Sequence, residues 1–84
     1  PDSTLLMLYE TYETGADTGP ESYSHEGEEG GLVISGEILL TVGDRTEILK
    51  AGDGYQFSSR IPHRFRNVGT DPCIIVSACT PPSF

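Results

Sequence analysis

Turn residues punctuate this chain at short intervals, and no stretch between them carries a helical period. Gly15, Gly19 and Pro20, then Gly27, Gly36, Gly43, Gly52 and Gly54, then Gly69 and Pro72 cut it into short segments. The segments are rich in Val, Ile, Thr and Tyr, which suit a pleated, half-buried surface. Such runs, spaced about eight to twelve residues apart, predict an all-β barrel or sandwich of about eight or nine short strands. Strands are expected at 5–12, 23–25, 29–34, 37–42, 45–49, 55–57, 62–68 and 73–80. Ser35-Gly36 reads as the two-residue turn of a hairpin, and Gly43-Asp44 turns the chain again.

With 84 residues the chain makes a single domain, 1–84, near the size at which one core is modestly stable. It starts at Pro1 without an initiator Met, which leads us to expect a domain excised from a longer protein. No run of the ~18 apolar residues needed to cross a membrane occurs. Thirteen acids against five bases give a formal charge of −8, which repels nucleic acid and tolerates or attracts a cationic small ligand, though an acidic solvated surface is the commoner meaning of such a charge. Cys73 and Cys79 fall six apart on one expected strand, roughly 20 Å from each other, beyond disulfide reach. Reduced, structural cysteines of this kind fit a cytoplasmic protein.

Two segments carry the chemistry. One reads His25-x3-Glu29-x6-Gly36; the other reads Gly52-x5-Ser58-x-Arg60-x2-His63-x3-Asn67. In one straight strand His25 and Glu29 stand about 13 Å apart, too far to share a metal. A bend at Gly27 places them on neighbouring strands, with Cβ atoms roughly 5 Å apart. Glu28 competes with Glu29 for the inward position. Period two puts His63, Phe65 and Asn67 on one face and Arg64 and Arg66 on the other. Since Phe65 is apolar, the His63 face is expected inside, leaving both arginines toward solvent or a partner subunit.

His25, His63 and one of the two carboxylates, Glu29 or Glu28, would then form a two-His-one-carboxylate set suited to one divalent transition metal; the ligands do not separate Zn, Ni, Fe and Mn. Taken singly, a barrel His is ordinarily a hydrogen-bonded core residue, and a Glu beside a Gly-rich turn is ordinarily solvated. Tyr9, Tyr12, Tyr23, Tyr55 and Phe57 supply aromatic surface, with core packing the default for most. Tyr23 differs, because it shares the face of His25 about 6.6 Å away and can meet a ligand, a metal or an ammonium group. Ser58, Ser59 and Ser77 have no triad context, and no Gly loop opens a helix.

These two segments resemble the paired motifs of the cupin superfamily, small β-barrels of the jelly-roll type. The second motif runs in register from Gly52 to Asn67, with Ser58 and Arg60 in place of its Pro and Gly. The first keeps His25, Glu29 and Gly36, with Tyr23 at its first His position and Asp17 at its leading Gly. This register selects Glu29 over Glu28. The 15 residues between Gly36 and Gly52 match the short inter-motif spacing of small cupins.

Met7-Leu8-Tyr9-Glu10-Thr11-Tyr12, His25-Glu26-Gly27-Glu28-Glu29, Gly36-Glu37-Ile38, Ile61-Pro62-His63-Arg64-Phe65 and Thr80-Pro81-Pro82-Ser83-Phe84 are similar to the cupin domain that follows the DNA-binding domain in helix-turn-helix repressors of the putrescine-utilisation type. The resemblance implies an effector-sensing, dimerising domain that binds a small molecule through Tyr23, His25, Glu29 and His63. It further implies a homodimer, DNA contact only through a helix-turn-helix domain not in this chain, and no enzyme activity. A polyamine is the expected effector. The rival expectation is a small cupin metalloenzyme, a dioxygenase or isomerase on the His25–Glu29–His63 metal site. A third is a dimerisation module with a vestigial pocket.

Overall fold

A computed structural model describes residues 5–19 and 27–80. Seven strands lie among them: β1 (Leu6–Tyr12), β2 (Glu28–Ser35), β3 (Glu37–Val42), β4 (Arg45–Lys50), β5 (Gly54–Ser58), β6 (His63–Arg66) and β7 (Cys73–Thr80). The strand expected at 23–25 lies outside the described residues. All ladders are antiparallel, and they form two sheets, β1-β7-β2-β5 and β4-β3-β6. No helix occurs among the described residues.

The inner faces of the two sheets enclose Val33, Ile38, Leu40, Leu49, Phe57, Phe65, Cys73 and Ile75, with Tyr12, Val42 and Tyr55 packed against them. Alternation along the strands produces this core. Ile38 and Leu40 of β3 point in, as do Phe65 of β6 and Cys73 and Ile75 of β7. Both cysteines are free thiols on β7. Burial, and then the Glu37 carboxylate, push the Cys73 thiol above its ordinary range.

The expected hairpin at Ser35-Gly36 is not formed. β2 pairs with β5 and β7, while β3 pairs with β4 and β6, so Ser35-Gly36 is a corner between the sheets. The reason lies in the backbone. The β2–β7 register shifts between Val33 and Ser35, and Gly36 sits at φ +77°. A Cβ at Gly36 would collide with the Pro72 carbonyl and lie 2.9 Å from Cys73 Cα. Only glycine lets the chain pass so close to the neighbouring strand. The tight hairpin lies one turn later, at Gly43-Asp44, where β3 and β4 pair from Val42↔Arg45 onward and Gly43 has φ +62°.

Candidate functional site

His63 opens β6 on the three-stranded sheet, opposite Val42, and Glu29 lies on β2 of the four-stranded sheet, opposite Phe57 and Cys79. The two residues therefore approach each other across the interior, from sheets that local sequence does not connect. His63 Nε2 stands 3.9 Å from Glu29 Oε1, and the imidazole is almost wholly buried. Glu28 points the other way, is exposed, and accepts a hydrogen bond from Gln56 Nε2 at 2.7 Å. Of the two acids, Glu29 is thus the inward one.

The backbone carbonyl of Ile61 lies 2.8 Å from His63 Nδ1. A carbonyl can only accept, so Nδ1 carries the proton. In the neutral ring this turns the Nε2 lone pair toward Glu29 and the interior. The Phe57 ring packs against the imidazole with centroids 4.7 Å apart. Tyr55 stacks on Phe57 at 5.8 Å and meets Phe65 edge-on at 5.5 Å, while Tyr12 stacks on Phe65 at 5.9 Å. Among the described aromatics read from sequence, Tyr9 departs from core packing, since it is exposed on the outside.

Tyr55 stands over Gly31, its cross-strand partner, where any side chain would strike the phenol ring. Its hydroxyl meets Ser77. Burial first, then the charges of Glu29, Tyr12 and Glu10, push that phenol above its usual range, so it stays protonated. Ser77 Oγ donates to Glu10 Oε1 at 3.1 Å, and Tyr12 Oη donates to Glu10 Oε2 at 3.4 Å. Glu10 and Ser77 were missed by the sequence reading. Their signal was parity: Glu10 shares the inward side of β1 with Tyr12, and Ser77 that of β7 with Ile75.

A cleft of about 260 Å³ opens between β4 and β5, walled by Leu40, Val42, Leu49, Tyr55 and Phe57, with Arg45 and Glu47 at its rim. It is apolar and aromatic within and carries polar groups at its mouth, the usual make-up of a small-molecule site.

Asn67, expected inside with His63 and Phe65, is buried and fully committed to the scaffold. Its amide donates to the carbonyls of Tyr12 and Asp71, both at 2.9 Å, and its Oδ1 accepts from Gly69 N at 2.9 Å. Arg64 and Arg66 do lie on the opposite face, and Asp17 grips both of them. The Asp17 carboxylate accepts from Arg64 Nε and Nη2 and stands 3.8 Å from Arg66 Nε. The Arg64 guanidinium, then the Gly19 amide, hold the Asp17 carboxyl well below the ordinary carboxylate range.

Tyr23 and His25, the remaining expected ligand-binding residues, lie outside the described residues. Among the described residues no group of three or more His, Cys, Asp or Glu is arranged to hold a metal. Of the expected set, His63 and Glu29 are described: an imidazole whose Nδ1 is held by the Ile61 carbonyl, with a carboxylate 3.9 Å from its Nε2.

Comparisons with known proteins agree on the architecture. The chain is 45% identical over all 84 residues to the HTH-type transcriptional regulator PuuR of Escherichia coli (strain K12), and equally to that of Shigella flexneri. It spans 45% of the length of these relatives. A Cupin_2 domain of an XRE family transcriptional regulator from Enterobacter cloacae superposes with a TM-score of 0.85 at 22% identity, covering 95% of this chain and 84% of that one. A double-stranded β-helix protein from Klebsiella pneumoniae superposes with a TM-score of 0.81 at 28% identity, covering 93% of this chain and 68% of the other. The family model for the cupin domain matches residues 8–79. With the fold and the match in agreement, the chain belongs to the Cupin_2 family.

Proposed function

We propose that this domain is the effector-sensing, dimerising part of a bacterial transcriptional repressor, acting in the cytoplasm and reaching DNA through a separate helix-turn-helix domain. The observation that carries the reading is identity of 45% along the entire chain to a helix-turn-helix regulator, of whose length the domain accounts for 45%. An enzyme role is not needed to account for the residues described.

The ligand we assign is a small organic dication, a diamine such as putrescine. Glu29 and Glu10 present carboxylates to the interior, and Tyr55, Tyr12 and Phe57 offer ring faces that suit an ammonium group and the methylenes between two of them. His63 closes the site, with its Nε2 turned toward Glu29. Tyr23 and His25 complete the proposed ligand set. A ligand shifts the regulator only by its differential affinity for two arrangements, and about 1 to 3 kcal/mol of coupling makes a useful switch.

Titration calorimetry with diamines, amino acids and sugars tests the assignment. Saturable heat for diamines and none for sugars supports it. Equal heats across the three classes would remove the polyamine reading.

One observation favours a second reading. The Ile61 carbonyl fixes His63 in the tautomer that a metal ligand requires, 3.9 Å from a carboxylate. If His25 supplies the third donor, a divalent metal held there could polarise a bound substrate. Elemental analysis of protein purified without a His tag, compared with His63→Ala, separates the two. Stoichiometric metal that the substitution removes supports the metalloprotein reading.

A further inference from the structure

The outer faces of the two sheets are chemically opposite. Outward positions of the three-stranded sheet include Glu37, Lys50, Arg64 and Arg66. Those of the four-stranded sheet carry a single charge, Glu28, at one end. The rest of that face is largely apolar. Met7 is 62% exposed, Tyr9 69%, Leu32 45% and Ile34 46%, and Val76 joins them from β7. The ladders set Tyr9, Val76 and Leu32 in one row across three adjacent strands.

We propose that this face is the surface on which two copies of the domain pair, back to back about a two-fold axis. The inference rests on the reading of the domain as one half of a paired regulator, and it names the surface that pairing uses.

Charge selects a second copy as the occupant. Each domain carries −8, so two copies repel wherever acids face acids. Among the described residues this face bears one charge, Glu28 at its end, and its centre is the broad uncharged surface on which they can meet; charge depletion marks the centre of interfaces. Away from Glu28 the described residues of this face offer nothing ionic to a charged partner. Its relief is self-complementary. Met7 and Tyr9 project from the edge strand β1, and a hollow of about 310 Å³ lies two strands away around Gly30, Ala78 and Gln56, with Glu28 and Glu29 also in its wall. A two-fold axis lays the projection of each copy over the hollow of the other, as an isologous interface requires.

Size is adequate. Four strands about 4.8 Å apart and some seven residues long span roughly 19 by 23 Å, about 440 Å² in projection. Projecting side chains raise the accessible area toward the ~800 Å² that each partner contributes to a standard interface.

Sedimentation velocity over a concentration series tests the proposal on the chain, on Tyr9→Glu/Leu32→Glu, and on Ile48→Glu, which places the same charge on the other sheet. The chain is expected to pair with a dissociation constant at or below about 10 µM. The double variant should weaken pairing at least roughly a hundredfold, and Ile48→Glu by less than about threefold. Circular dichroism shows whether the double variant is folded. If it is not, amide shifts of the unaltered chain on dilution decide, since they must move at Met7, Tyr9, Leu32 and Val76. A monomer at about 100 µM, a folded double variant that still pairs, or dilution shifts confined to β3, β4 and β6 would overturn the proposal. Diamine heats measured on the monomeric double variant report on the effector reading separately, so each can fail alone.

Discussion

Asn67 shows how much one interior side chain can hold. Its three hydrogen bonds tie β1, the end of β6 and the turn before β7 together. Replacing it by alanine takes the partner from two carbonyls and an amide in part-buried hydrogen bonds, so Asn67→Ala should cost about 1–3 kcal/mol in chemical denaturation. Asp17 does a related job at the surface, and there pH is the probe. Its carboxyl is depressed in the fold, so its contribution is complete above the ordinary carboxylate value of about 3.9 and is lost as pH falls below it. The stability gap between the chain and Asp17→Asn should accordingly be constant from neutral pH to about pH 5, then narrow in stronger acid, and shrink with added salt. A gap that widens on acidification would reverse the assignment.

Strand alternation made much of the element scale legible. Placing Phe65 inside fixed His63 and Asn67 inside and both arginines outside, all as found. The spacing of Cys73 and Cys79 along one strand likewise foretold free thiols. The corner at Ser35-Gly36 was misread because hairpins and sheet-switching corners call for the same residues. What distinguishes them is a clash with Pro72, 36 residues further on, which has no local signal. Gly36→Ala is therefore predicted to destabilise by about 2 kcal/mol or more, from positive φ together with the collision, and to fall well outside the range of an exposed strand substitution. Thermal unfolding checks it. Glu10 escaped notice because β1 begins with Leu6-Met7-Leu8, a run without alternation, so the parity of its inward side emerges only when Ser77 is seen beside it.

At the scale of the molecule, two sheets of unequal character divide the work. Their inner faces form a common core, and Phe65 contacts Tyr12, Tyr55 and Phe57 from the opposite sheet. Phe65→Ala should cost about 3–5 kcal/mol by unfolding and weaken ligand binding as well, because it removes the floor on which those rings rest. The meeting of Glu29 and His63 was legible only through the spacing of the two motifs, since β2 and β6 belong to different sheets and share no ladder. That meeting is also where the functional account is most exposed. Calorimetric titration of a four-carbon diamine into the chain and into Glu29→Gln measures it directly. The account predicts saturable binding that the substitution weakens at least about tenfold while the unfolding midpoint barely moves. Binding of equal strength in the two proteins, or no saturable heat in either, would contradict it.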